Sequence, residues 1–511
     1  MNRAFSCPKC MQNFDICDSG LPPLAPAVVS SRVLDTNDPP LEPEIPTLRE
    51  FISTARARSE RLDIKIGFLQ SALAELQEEQ RILSDTISKH EGSVSALRSF
   101  PVEILSHIFS FTLPPHQYGA ASAPWTISAV CSKWRAIVIS EPRFWIWVRY
   151  DGNSSDYDNF DKYETQLVRS GQLPIHLEIV ADESINLDLE QELVCKIFCH
   201  HAARWETASF YGPESLMSLV ESWIEDDLVN LRELTVEVRW YDSNSPIRVF
   251  QNAPKLSRAH INRDRWEDPP VVKLSWSQLT KYVATTAWED AVKAFASASN
   301  LVDCSLHLHQ WGIPVAHDHI VLPCLRRLFL LGSYLLINLE TPALLELYCD
   351  YQPSTLLPFT RSQTCKLQKL VLWDAGRKDS ENLIRILERL PTLAYLSILS
   401  RLPIEFIDAF NSRTTTLLPS LEHFSCTLEP GLVADGDGLE DHFMQAIESR
   451  RPRDNNQGLK SVRIYTRTAL SRSRVRLDAL VSQGGFEYEV LPHSLVFPRQ
   501  DDIPPELWMP L

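Results

Sequence analysis

Cysteine, histidine and aspartate are the side chains of this 511-residue chain whose spacing could support metal or nucleophile chemistry. Cys7 and Cys10 form a Cys-x-x-Cys pair, with Cys17 following. Such a turn suits tetrahedral zinc, but no fourth ligand stands nearby, so a zinc turn and a tail with free thiols are both open. Cys195, Cys199, His200 and His201 make the most compact metal-capable cluster. Cys195 and Cys199 are four residues apart and share a helical face. Val194, Ile197 and Phe198 around them read instead as a core helix carrying buried thiols. His317 and His319 flank Asp318 with no nucleophile to activate. The sequence has no Gly-x-x-x-x-Gly-Lys loop, no His-Glu-x-x-His and no Gly-x-Ser-x-Gly. These residue patterns point to no catalytic centre, no metal and no cofactor.

Charge excludes other classes. Sixty-six acidic residues against 50 basic ones give a formal charge of −16. Nucleic acid and anionic membranes select basic surfaces, so neither is an expected partner. The basic runs at Arg450, Arg451 and Arg453, and from Arg472 to Arg476, read as solvated loops. An apolar share of 44% supplies a sizeable core, and the length suggests about three domains. No run of about twenty apolar residues is present, and MNRAFSCPKC lacks the apolar core of a secretory signal. Eleven cysteines, mostly scattered through apolar patterns, suggest reduced thiols in the cytoplasm, the nucleus or both.

Four elements would position any site. Residues 1–47 are rich in Pro, Asp and Ser and read as mostly disordered. From residue 48 to 98, apolar positions alternate steps of four and three: Leu48, Ile52, Ala55, Leu62, Ile66, Leu69, Leu73, Leu76, Leu83, Ile87, Val94 and Leu97, interrupted by Ser59, Gln80 and His90. That is a coiled-coil seam on a helix roughly 75 Å long. It needs a partner: a second copy by default, the chain's own body as the rival. Gln80 and His90 read as register-setting polar positions, and Gly92 as a point where the helix loosens.

Residues 99–150 form a third element, SFPVEILSHIFSFTLPP followed after a loop by APWTISAVCSKWRAIVISEPRFWIW. Pro101 suits the first turn of a helix, where its missing N–H has no partner. Glu103 lies near the positive helix start. Ile104, Leu105, Ile108 and Phe109 make one apolar face, and Ile127, Val130, Trp134 and Ile137 make another. Two helices this short cannot bury both Trp134 and Trp145, so some of that surface must meet another domain or another chain. With Cys131, Lys133 and the closing Pro142, Phe144 and Trp145, these residues resemble the F-box, which plugs a substrate receptor into a cullin-type ubiquitin ligase. Phe100, where the family usually has Leu, and a longer loop between the first two helices depart from its pattern. The order TNDPPLEPEIP, long helix, F-box resembles F-box proteins abundant in mushroom-forming fungi. The resemblance implies that Pro101, Ile104, Leu105, Ile108, Phe109, Val130, Trp134 and Trp145 bind a Skp-type adaptor and, through it, cullin. It implies no target.

The fourth element, residues 151–495, carries a repeat. The unit apolar-x-x-apolar-x-apolar recurs from Trp205-Ala208-Phe210 to Leu459-Val462-Ile464, mostly at intervals of 19 to 28 residues. Intervening segments such as ENLIRILERL and SLMSLVESWI read as helices. The pattern resembles leucine-rich repeats, which implies an irregular α/β solenoid with a parallel sheet, because the usual Asn after each strand is absent. Outward strand positions would be Thr235, His260, Ser305, Phe329, Tyr348, Val371, Ser397, Ser425 and Arg463. Phe329, Tyr348 and Val371, with Leu331 and Trp373 next to them, would then form an exposed patch that holds a protein target. The tail 496–511, with Trp508, is the rival cover for that patch. The expected function is a non-catalytic substrate receptor of an SCF-type ligase. The alternative is a coiled-coil and leucine-rich-repeat scaffold with no link to ubiquitin.

Overall fold

A computed structural model describes residues 4–6, 13–15, 35, 37–94, 96–113, 122–152, 160–181, 195–224, 227–239, 246–263, 272–308, 319–362, 366–373, 380–411, 417–428, 436–450, 458–466 and 470–492. Two compact units divide the chain, Met1–Leu105 and Ser106–Leu511.

In the first unit, Ala4–Ser6 and Asn13–Asp15 pair antiparallel with Phe5 opposite Phe14. Cys7, Cys10 and Cys17 lie outside the described residues. A single helix, α1, runs from Glu44 to Ser93. It starts four residues before the seam and stops one residue after Gly92. No described residue of α1 is buried. On its surface Arg81 pairs with Glu78 at 2.7 Å and Asp85 at 3.1 Å, contacts worth a few tenths of a kcal/mol each.

Among the described residues, the second unit is built on one sheet of 14 strands. They are β1 Trp147–Asp151, β2 Ile175–Val180, β3 Trp205–Pro213, β4 Glu233–Arg239, β5 Arg258–Arg263, β6 Lys281–Thr286 and β7 Asp303–Leu308, then β8 Arg327–Leu331, β9 Glu346–Asp350, β10 Lys369–Trp373, β11 Tyr395–Arg401, β12 His423–Thr427, β13 Ser461–Thr466 and β14 Glu487–Pro492. Each strand pairs with its sequence neighbour, and every pairing is parallel. Parallel neighbours need a crossover between them. Helices supply many of these, among them Glu214–Trp223, Trp288–Phe295, Ser380–Leu387 and Ile404–Asn411.

The pairing aligns the repeat read from the sequence. Leu328 lies beside Leu347, Leu347 beside Leu370, Leu370 beside Leu396 and Leu396 beside Phe424. The leading residue of each unit, from Leu231 to Leu459, is buried under the same face. The residue just after it points a carbonyl at the next unit. Arg232 O accepts from the N–H groups of both Ser257 and Arg258, Ser257 O from Thr280 and Lys281, and Thr280 O from Val302 and Asp303. The chain of shared carbonyls continues through Val302, Arg326, Leu345, Gln368, Ala394 and Glu422 at 2.7 to 3.1 Å. Just ahead of several leading residues, a side chain donates back to the preceding unit. Asn230 reaches Ala203 O, Gln278 reaches Ala253 O, Asn300 reaches Ser277 O and Thr392 reaches Leu367 O.

One sequence reading holds and another moves. Cys195 and Cys199 are core thiols, and burial pushes Cys199 upward in pKa, which disfavours the thiolate a metal would need. Arg450 is no solvated loop residue. It follows the helix Gly436–Ser449, donates to Phe410 O and Leu418 O, and stacks 3.9 Å over the Phe410 ring. Burial lowers its pKa to about 10. Arg476 is tied to Glu448 and Asp441 at 2.7 and 3.1 Å. Among the described residues, no helix is long and apolar enough to cross a membrane.

Gly67 sits in mid-α1, and a Cβ built there would meet no atom within 4 Å. Its main cost is then backbone entropy. Gly67→Ala should stabilise the helix by about 0.5–1 kcal/mol. Slower amide exchange along α1, with unchanged exchange in the sheet, is the expected readout.

Candidate partner-binding site

Three short helices precede the sheet: α2 Val102–Ser110, α3 Ala123–Val130 and α4 Ser132–Ser140. In α2 the Leu105 amide donates to Pro101 O at 3.1 Å, which closes the first turn over the proline. The helix divides its apolar residues between two faces. Leu105 and Phe109, one turn apart, are 0% and 3% exposed. Ile104 and Ile108, also one turn apart, are 47% and 39% exposed. Phe111, just past the end, is exposed and meets His107 edge-on at 4.9 Å.

α3 and α4 meet at Cys131, whose extended backbone breaks the helix. Its sulfur accepts from the Trp134 amide at 3.5 Å and caps α4. Pro124, Ile127, Ile137 and Val138 face inward, while Val130 is exposed at the end of α3. Trp134 is half-buried and packs on Phe109 at 4.7 Å. Arg143 donates to Ser106 Oγ at 2.8 Å and ties α2 to the turn Pro142–Phe144.

Trp145 is the hub. It is fully buried, and its indole N–H donates to Val138 O at 2.8 Å. Trp125 meets it edge-on at 4.9 Å. The guanidinium of Arg169, at the end of the helix Phe160–Arg169, lies 4.5 Å from its ring centroid. A cation over an indole face is favourable by about 0.5–2 kcal/mol. Two residues after Trp145 the sheet begins. The residues expected to bind an adaptor therefore separate. Leu105, Phe109 and Trp145 are buried, Trp134 is half-buried, and Pro101, Ile104, Ile108 and Val130 are exposed.

The expected target patch lies on the sheet face opposite the main core. The register sets Phe329, Tyr348 and Val371 side by side and brings Trp373 beside Asp350. The patch is not exposed. Tyr348, Val371 and Trp373 are 0–2% exposed and, with Leu399 and Tyr465, form a second apolar cluster. Phe329 and Leu331 are half-buried against it. The cause is the register: large side chains in line on adjacent strands cover each other, and Phe329 of β8 reaches across β9 to stack on Trp373 of β10 at 5.2 Å. Tyr348 donates to the Glu346 carboxylate at 2.6 Å. Burial first, and that carboxylate second, push its pKa up. Among the described residues, the buried Trp373 indole N–H and the hydroxyls of Ser397 and Ser425 have no hydrogen-bond partner. On the same face His260 is neutral in ordinary conditions, because burial, aided by Lys281, pushes its pKa down to about 4.

No protein-family model matches this chain, and no curated protein matches it. Among the described residues, no group of three or more His, Cys, Asp or Glu is placed to hold a metal. His317 and Asp318 lie outside them.

Two outcomes follow from this face. Tyr348→Ala and Trp373→Ala should each destabilise the sheet unit by about 3–5 kcal/mol, the usual cost of deleting a buried aromatic, as read from denaturant midpoints. His260 is depressed from 6.5 to about 4, so its neutral form supports the fold fully above pH 6.5, and that support is lost as pH falls towards 4. The shift corresponds to about 3 kcal/mol at most. His260→Asn should lose less stability than wild type between pH 7 and 4.5.

Proposed function

We propose that this chain is the substrate-recognition subunit of an SCF-type ubiquitin ligase. In this reading α2, α3 and α4 are an F-box that binds a Skp-type adaptor, and the adaptor binds cullin. The sheet unit is a leucine-rich-repeat-like solenoid that holds a protein target. The chain performs no chemistry itself. It raises the concentration of the target near a ubiquitin-loaded enzyme, so that a bimolecular transfer proceeds as an effectively unimolecular one.

One observation carries the reading: the split of α2 into a buried face and an exposed apolar face. Leu105 and Phe109 account for its packing, which leaves Ile104 and Ile108 in water without a structural reason. Exposed branched apolar residues on a rigid, Trp-anchored helix are what a partner surface requires. Val130 adds a third such residue on α3.

The test is Ile104→Asp with Ile108→Asp, which spares the buried Leu105. Adaptor co-purification should fall at least a hundredfold, since two desolvated charges cost several kcal/mol. The unfolding transition of the sheet unit should not move. Adaptor capture at the wild-type level would favour the scaffold reading.

A further inference from the structure

We infer that two copies of this chain join through α1 as a parallel, in-register, two-stranded coiled coil. The first support is exposure. Ile52, Leu62, Ile66, Leu73, Leu76, Leu83 and Ile87 are 44–56% exposed, on a helix with no buried described residue. An isolated helix with an apolar stripe draws its stability from whatever covers that stripe.

The second support is which residue type stands where. Because α1 begins at Glu44, the seam extends back to Ile45. Written as a heptad, the a positions are Ile45, Ile52, Ser59, Ile66, Leu73, Gln80 and Ile87, mostly Ile. The d positions are Leu48, Ala55, Leu62, Leu69, Leu76, Leu83 and His90, mostly Leu. β-Branched residues at a with Leu at d are the packing preference of parallel pairs, in which a meets a and d meets d. Trimers and tetramers prefer other combinations. The apolar residues Ile64, Phe68 and Ile82 lie off the seam at f and c and form no second stripe.

Gln80 fixes the register. It occupies an a position between Leu76 and Leu83. In a parallel, aligned pair its amide meets the amide of the other copy, and each can donate and accept. Antiparallel packing puts a against d and would seat Gln80 on an apolar residue, with its amide unsatisfied. The flanking charges agree. Pairing g of one copy with the following e of the other joins Glu44 to Arg49 and Arg58 to Asp63, and no such pair in α1 carries like charges. Arg81, Glu78 and Asp85 pair on the helix back, away from the seam.

The inference does not depend on the ubiquitin reading. It concerns the chain and its own copy, and it would give each assembly two sheet units and hence avidity for a repeated or clustered target.

Sedimentation of the full chain tests it. Wild type should run at twice the monomer mass at micromolar concentration. Leu69→Asp with Leu76→Asp should weaken association roughly a hundredfold or more, by placing charges in the seam, while the sheet unit unfolds as before. Orientation is read by mixing 15N-labelled and unlabelled chains and applying a short amine-reactive cross-linker. A Lys89–Lys89 link between unlike isotopes is expected. Full-overlap antiparallel helices would hold those two residues about 60 Å apart. A monomer, a trimer or larger species, a variant that still dimerises, or a dimer lacking the Lys89 link would each overturn the proposal.

Discussion

From β4 to β12, one backbone carbonyl per strand governs the geometry of the larger unit. It belongs to the residue after each leading leucine and is shared by two successive N–H groups of the next strand. Sharing pins where that strand begins, so the next leading residue falls beneath the same face and the next carbonyl is presented in turn. Each such bond is worth only about 0.5–1.5 kcal/mol net. Their effect is positional: they hold the rows Leu328, Leu347, Leu370 and Leu396 in line, and burial of those rows supplies the stability. Stability in such an array is a sum of units and nearest-neighbour interfaces, which makes every interior unit dependent on two neighbours.

The helical segment and the sheet are continuous because Trp145 belongs to both. It stands three residues ahead of Val148, as Leu231 stands three ahead of Leu234, and Val148 enters the ladder beside Leu177. It is therefore the leading residue of the first strand as well as the residue on which Trp125 and Val138 close. Arg169 fastens the same ring from the first crossover helix. A surface displayed on α3 and α4 is thus held by the same side chain that starts the sheet.

Much of this was legible in the sequence. The strands from Trp205 to Ile464 announced themselves because a leading apolar residue preceded each buried pair. Strands β1, β2 and β14 did not. In β1 the leading residue is Trp145, which reads first as the end of the helical segment. The corresponding positions for β2 and β14 are Pro174 and Gly485, which break the pattern although Ile175, Leu177 and Ile179 alternate correctly. The two faces of α2 were also merged: spacing shows that Ile104, Leu105, Ile108 and Phe109 share one side of a helix, but not where burial stops along its rim. The outward aromatic row failed for a related reason. Strand alternation gives the side of the sheet, and only the in-register packing of Tyr348, Val371 and Trp373 shows that this side is closed. Cys131 as a helix cap left no signal, since thiols are uncommon in that role.

Among the described residues the ladder ends at β14, a strand unlike the others. Glu487, Glu489 and Val490 are exposed, and Pro492 closes the strand without an N–H to offer. Open parallel edges template further strands unless something blunts them. Here the Glu487 carboxylate is exposed, Glu489 is tied back to Arg463 at 2.9 Å, and the proline removes a donor at the far end. Both features disfavour addition of a further strand at this edge.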